Sequence, residues 1–134
     1  IKQQTYEMCI SAVSKNGDVL KYVDKDLLTY QLCLTAVKKC GMALEYVDAN
    51  LLTYEICLAA VSSYGSSIKF IPEKFRTYEL CEIAFKNNNS RHSHVISYIE
   101  NPTYEICELS VKNDGLSFAY IYNHHRQMID YNLL

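Results

Sequence analysis

The chain has 134 residues, 49% of them hydrophobic, which suits one domain with a substantial core. Thirteen basic against fifteen acidic residues leave a formal charge of −2, so no net field favours a phosphate backbone or an anionic membrane surface. Glu, Lys, Asp or Ser interrupts every apolar run well short of the roughly 18 to 20 residues that cross a bilayer, and no membrane segment is expected.

The chain opens at Ile1 rather than Met, with no basic stretch leading into an apolar one, as expected of a fragment or processed form with further sequence before it. From Thr5 onward it repeats. The dipeptide Thr-Tyr recurs at Thr5, Thr29, Thr53, Thr77 and Thr103, at spacings of 24, 24, 24 and 26 residues, and similarity runs through each unit. The units are 5–28, 29–52, 53–76, 77–102 and 103–127, and the apolar tail 128–134 is expected to cap the last one. The predicted fold is all-α: an α-solenoid of five helix-turn-helix repeats of about 24 residues, forming a single helical-repeat domain over 1–134.

In each unit the first helix starts at the Thr, a good N-cap, and Glu or Gln two residues later suits the positive end of the helix dipole. Apolar residues follow at helical spacing, as in Tyr6, Met8, Cys9, Ala12 and Val13, and cover an arc of roughly 200°. So wide a face implies contact both with the second helix of the unit and with neighbouring units. The eighth position is small (Ala12, Ala36, Ala60, Ala84, Ser110), which permits close helix approach. The helix should stop at the thirteenth position, where Gly17, Gly41, Gly65 and Gly115 supply a left-handed C-terminal cap, with Asn89 in the fourth unit.

A second helix of about two turns follows around Leu20–Val23, Leu44–Val47, Ile68–Ile71, Ile96–Ile99 and Phe118–Ile121, too short to stand without packing. Pro72 and Pro102 fall in the linkers, and Leu28 and Leu52 precede the Thr caps as hydrophobic staples.

The pattern breaks between units three and four, beside an insertion at 90–95. The sixth position is apolar at Ile10, Leu34 and Leu58 but acidic at Glu82 and Glu108, while the seventh changes from Ser11, Thr35 and Ala59 to Ile83 and Leu109. Either the superhelical packing changes near a capping end, or Ile10, Leu34 and Leu58 form an exposed apolar strip for a partner.

Five of the six cysteines share one slot: Cys9, Cys33, Cys57, Cys81 and Cys107. Equivalent residues of stacked helices lie roughly 8 to 10 Å apart, too far for a disulfide, so buried thiols in a reducing compartment are expected. His92 and His94 lie in the insertion, and His124 and His125 follow the last helix. A tetrahedral metal could draw on the four, but a variable polar loop is the preferred account, and no CxxC is present. These histidines are retained as partner-binding candidates, with no cofactor or metal expected. The tyrosines at the second position (Tyr6, Tyr30, Tyr54, Tyr78, Tyr104) could stack single-stranded bases, yet their repeated neighbour is acidic; core packing with the hydroxyls on backbone acceptors is the preferred reading. No nucleophile elbow, phosphate loop or HExxH motif occurs, and no enzymatic activity is expected.

The segments LLTYQLCLTAVKKCGMALEYV and LLTYEICLAAVSSYGSSIKFI resemble a short helical repeat, LTYELCLxAVxxxGxxLxYV, of a family of unknown function found in giant DNA viruses and some bacteria. The resemblance covers essentially the whole chain, though units four and five depart from it at the sixth position. It implies a helical array, a viral source and no catalytic residues. The expected function is therefore a protein-binding scaffold in the cytoplasm, that of a host cell if the chain is viral. Single-stranded nucleic-acid binding and a self-assembling structural element are the alternatives, the latter through the uncapped N-terminal repeat, where an oligomer contact is expected.

Overall fold

Residues 3–88 and 94–127 are described in the computed structural model of the chain. Each threonine of the Thr-Tyr repeat caps a helix: the Oγ1 of Thr5, Thr29, Thr53, Thr77 and Thr103 accepts the backbone N–H three residues on, at 3.2 or 3.3 Å. From these caps run α1 (Tyr6–Lys15), α2 (Tyr30–Lys39), α3 (Tyr54–Ser63), α4 (Tyr78–Lys86) and α5 (Tyr104–Asn113). Consecutive helices pack side by side, each unit on the next, and no strand forms among the described residues. The architecture is an all-α repeat solenoid.

In units one to four the second element differs from the expected short α-helix. Gly17–Tyr22, Gly41–Tyr46, Gly65–Phe70 and Val95–Tyr98 are 3₁₀ helices, and α6 (Ser117–His124) in unit five is α-helical. Three residues per turn align Leu44 with Val47, and Ile68 with Ile71, along one side, and all four are buried. A second 3₁₀ turn, not anticipated from sequence, fills the linkers at Lys25–Leu27, Ala49–Leu51 and Glu73–Phe75. The chain therefore returns to the start of its own α-helix: the Gln4 side chain donates to the Tyr22 carbonyl at 2.7 Å and accepts from the Asp24 N–H at 2.8 Å.

The glycines end the helices for a different reason from the one the sequence implied. Among the described residues no backbone, glycine included, has positive φ. The helices are closed instead by an extended residue just before the glycine (Asn16, Cys40, Tyr64, Asp114), whose N–H reaches the carbonyl of the small eighth residue. The glycine then lies against the next unit. A Cβ on Gly17, Gly41 or Gly65 would overlap the carbonyl oxygen of Ala36, Ala60 or Ala84 respectively. The small eighth position and the glycine are two halves of one inter-unit contact, and it is close approach rather than turn geometry that requires both. Asn89, expected to replace the glycine in unit four, lies outside the described residues, as do the insertion up to residue 93 and the tail 128–134 expected to cap unit five.

The core runs the length of the stack through the five slot cysteines, Val13, Val37, Val61 and Phe85, with the leucines and isoleucines of the 3₁₀ helices. Leu28 and Leu52, the expected staples, are half-buried against it. Burial at these two positions differs between the ends of the array: Leu34 is buried at the sixth position of unit two, Leu109 at the seventh of unit five with Glu108 exposed, and Leu58, Ala59, Glu82 and Ile83 are all half-buried in units three and four.

Candidate functional site

Ile10, Leu34 and Leu58 do not form an exposed strip. Leu34 is 6% exposed, and Ile10 and Leu58 are half-buried and packed on the core, because the sixth position faces into the stack in the first three units. Of the four histidines, His92 lies outside the described residues; the other three surround one ring, Tyr120 of α6. His124 stacks on it with centroids 4.2 Å apart, and His125 and His94 are tilted at 6.1 and 6.4 Å. His94 Nδ1 also meets Asp114 Oδ2 at 3.0 Å, joining unit four to the C-cap of α5. His124 Nδ1 is engaged with the Tyr120 carbonyl at 3.0 Å within α6, so His94 is the member of the cluster that bridges units four and five. Among the described residues no three His, Cys, Asp or Glu side chains converge with a geometry that would hold a metal ion.

At the other end of α5 lies a recess of about 320 Å³, lined by Glu73 and Arg76 from the unit-three linker, Glu100 to Thr103 from the unit-four linker, and Cys81, Ile99 and Ile106. Arg76 is the residue that sequence reasoning missed. It holds the place of Leu28 and Leu52, and that break in the repeat was its available signal. With φ −84° and ψ 67° it sits at the centre of an inverse γ-turn closed by Thr77 N–H to Phe75 O at 3.0 Å. Its Nε donates to the Ile71 carbonyl at 2.7 Å. Among the described residues that is the one hydrogen bond of its guanidinium, leaving the outer nitrogens for a ligand between Glu73 and Glu100. The Cys81 thiol on the wall is pushed up to about 11 by burial, partly opposed by Arg76, so it stays neutral and unreactive. Burial likewise raises Cys33, with Asp48 adding to it, and Cys57 to about 11, and all six cysteines are free thiols.

The tyrosine ladder serves the stack itself. Tyr30 OH meets Thr53 Oγ1 at 2.8 Å and Glu55 Oε2 at 3.1 Å, and Tyr54 OH meets Thr77 Oγ1 at 2.8 Å. The hydroxyls thus reach the next unit's cap side chain rather than a backbone acceptor. Beyond the break Tyr78 and Tyr104 are 52% and 39% exposed. Tyr104 belongs to a surface chain with Glu108, which pairs with Lys112 at 3.0 Å. In the first unit Met8 is 43% and Tyr22 68% exposed.

The chain matches the family model described as "Domain of unknown function (DUF4116)" twice, over residues 5–53 and 53–101. The first match spans units one and two and the first residue of unit three, the second spans unit three and unit four up to residue 101, and unit five lies beyond both. No curated protein and no solved structure matches the chain.

Proposed function

Because the chain belongs to the DUF4116 family, whose description assigns no role, we propose from the site alone that it is a protein-interaction scaffold that receives a partner on units three to five. The observation that carries this reading is the recess at Arg76. The repeat places a core-packing leucine there twice, and unit three replaces it with a cation having two nitrogens unspent beside two carboxylates. An open, mixed-charge groove between linkers suits a polypeptide segment, whose carboxylate or carbonyl groups the guanidinium fork would take and whose N–H or ammonium groups Glu73 and Glu100 would take. A reducing cytoplasm, that of an infected cell if the source is viral, fits six unpaired thiols.

Affinity capture from native or infected cells tests this with wild-type chain and Arg76→Leu, which restores the residue of the regular units and so preserves the fold. Wild-type chain should retain a reproducible protein partner and Arg76→Leu should lose it at unchanged melting temperature. Absence of any reproducible partner, or equal capture by the variant, removes the reading.

A further inference from the structure

The recess at Arg76 divides into an apolar floor and a charged rim. Cys81 is 1%, Ile99 7% and Ile106 8% exposed, whereas Glu73 and Glu100, one from each linker, are exposed and Arg76 is half-buried. Resting on the reading of this recess as the partner site, we propose that its ligand is the carboxyl terminus of a polypeptide. The last residue is apolar and its α-carboxylate pairs with Arg76, while a basic residue upstream meets Glu73 or Glu100.

The guanidinium is fixed before any ligand arrives. Its stem leaves the centre of an inverse γ-turn, and its Nε donates to the Ile71 carbonyl at 2.7 Å. With Nε spent, a side-on approach through Nε and one outer nitrogen is closed. The end-on pair of outer nitrogens remains, a fork that matches the two oxygens of a carboxylate. The same cation lies near enough to the floor to oppose the upward push of burial on the Cys81 thiol. An anion on the fork is therefore held beside an apolar wall.

Two carboxylates against one guanidinium give the recess an excess of negative charge. A free anion such as inorganic phosphate meets that excess uncompensated, so the ligand must bring a cation or N–H donors together with its carboxylate. An internal Asp or Glu brings the carboxylate, but its chain leaves in two directions and its methylenes are too few to cover the floor. A chain terminus offers the carboxylate and an apolar side chain from a single Cα and leaves in one direction. At about 320 Å³ the recess is near the lower limit of ligand pockets, roughly 300 Å³, which suits the end of a chain better than a segment laid across it. Leucine, isoleucine or valine matches a floor of Cys81, Ile99 and Ile106. Upstream, a Lys or Arg side chain restores the charge balance on Glu73 or Glu100.

A library of random hexapeptides fused to the carboxyl end of a carrier protein, selected on the wild-type chain, tests this. The selected sequences should converge on an apolar last residue with a basic residue upstream. Synthesised as fluorescein-labelled free acids, they should bind in fluorescence anisotropy, and the same peptides amidated at the carboxyl end should bind about tenfold or more weakly. Arg76→Leu, melting like the wild type, should show a similar loss for the free acids. The acid and amide are compared on wild-type chain, so that comparison stands whatever the variant does. Glu73→Gln combined with Glu100→Gln should weaken these peptides by about two- to fivefold relative to versions with alanine at the basic position, the scale of exposed ion pairs. Failure to enrich any terminal sequence, equal binding of acid and amide, equal binding by folded Arg76→Leu, or enrichment of internal Asp or Glu instead overturns the proposal. If protein capture that depends on Arg76 persists in those cases, the scaffold reading stands and the terminal ligand falls; if capture is absent as well, both fall.

Discussion

Gly41→Ala is the sharpest probe of what spaces the repeats. A left-handed helix cap and a close inter-unit contact both call for glycine, but they predict different responses to substitution. The backbone at Gly41 is accessible to alanine, and restricting the unfolded chain would by itself stabilise by about 0.4–1 kcal/mol. Against that, the new methyl overlaps the Ala60 carbonyl and lies 2.7 Å from Ser67 Oγ and 3.1 Å from Tyr64 N. Backbone supplies two of those three atoms, so relief means separating α3 from its neighbour, an overpacking cost of about 1–3 kcal/mol. The balance is a loss of about 1–2 kcal/mol, or a melting temperature lower by roughly 3–10 °C for a chain of this size. Gly115→Ala occupies the same place in its unit with open space around it and should melt at or above wild type. Thermal unfolding by far-UV circular dichroism at low micromolar concentration compares the two. Gly41→Asn extends the test, because a left-handed cap tolerates Asn better than Ala whereas a steric contact tolerates it less. The reasoning fails if Gly41→Ala is neutral, if Gly115→Ala is equally costly, or if Asn outperforms Ala at Gly41.

Thr53→Ala removes the α3 cap and the partner of Tyr30 together and should cost about 1–2 kcal/mol, with Tyr30→Phe near 1 kcal/mol. The double variant should cost less than the sum in denaturant unfolding, and strict additivity would deny the shared bond. Cys33, Cys57 and Cys81 ionise near 9 when unfolded but near 11 when buried, so the unfolded chain holds fewer protons in that interval and stability should fall as pH rises through it. Cys57→Ala should flatten that decline by one proton, and an unchanged slope would exclude burial as its cause. The Glu108 carboxyl, hydrogen-bonded by Lys112 and then by Tyr104, should titrate below the ordinary glutamate range by NMR and move back toward it in Lys112→Ala.

Much of this fold was legible because the repeat reports its own register. The caps at the five threonines, the buried cysteine slot and the small eighth position follow from residue type and periodicity alone. The exchange of Leu58 and Ala59 for Glu82 and Ile83 was visible too, but all four are half-buried, and the change of face is seen between Leu34 and Leu109. What periodicity cannot distinguish is a two-turn α-helix from a 3₁₀ helix, since in six residues both bring the first and fourth side chains to one side. Nor does a glycine after a helix announce whether it is needed for its φ or for its missing Cβ, because that depends on a neighbour 19 residues away, as Ala36 is from Gly17. The site was harder still. Leu34 reads as surface on a single helix and is buried by the stack, whereas Arg76 was visible as a departure from leucine and had no chemistry attached until the linkers closed around it.

The 3₁₀ geometry and the glycine contact belong together. A ten-residue α-helix such as α2 advances about 15 Å, and the chain must return along most of that length before the next cap. Six residues of 3₁₀ helix at about 2.0 Å each cover roughly 12 Å, whereas six residues of α-helix cover about 9 Å. The extended form therefore completes the return within a 24-residue unit. In unit five the eight residues of α6 also cover about 12 Å, by spending two more residues. The slimmer 3₁₀ rod, entered at a glycine, lets the next helix bring its small eighth residue against the backbone. Where no following unit among the described residues presses on the glycine, at Gly115, the return reverts to an α-helix. In the four units that carry a glycine, the form of the return thus tracks whether a described neighbour presses on it, and α-helical propensity prevails at Gly115.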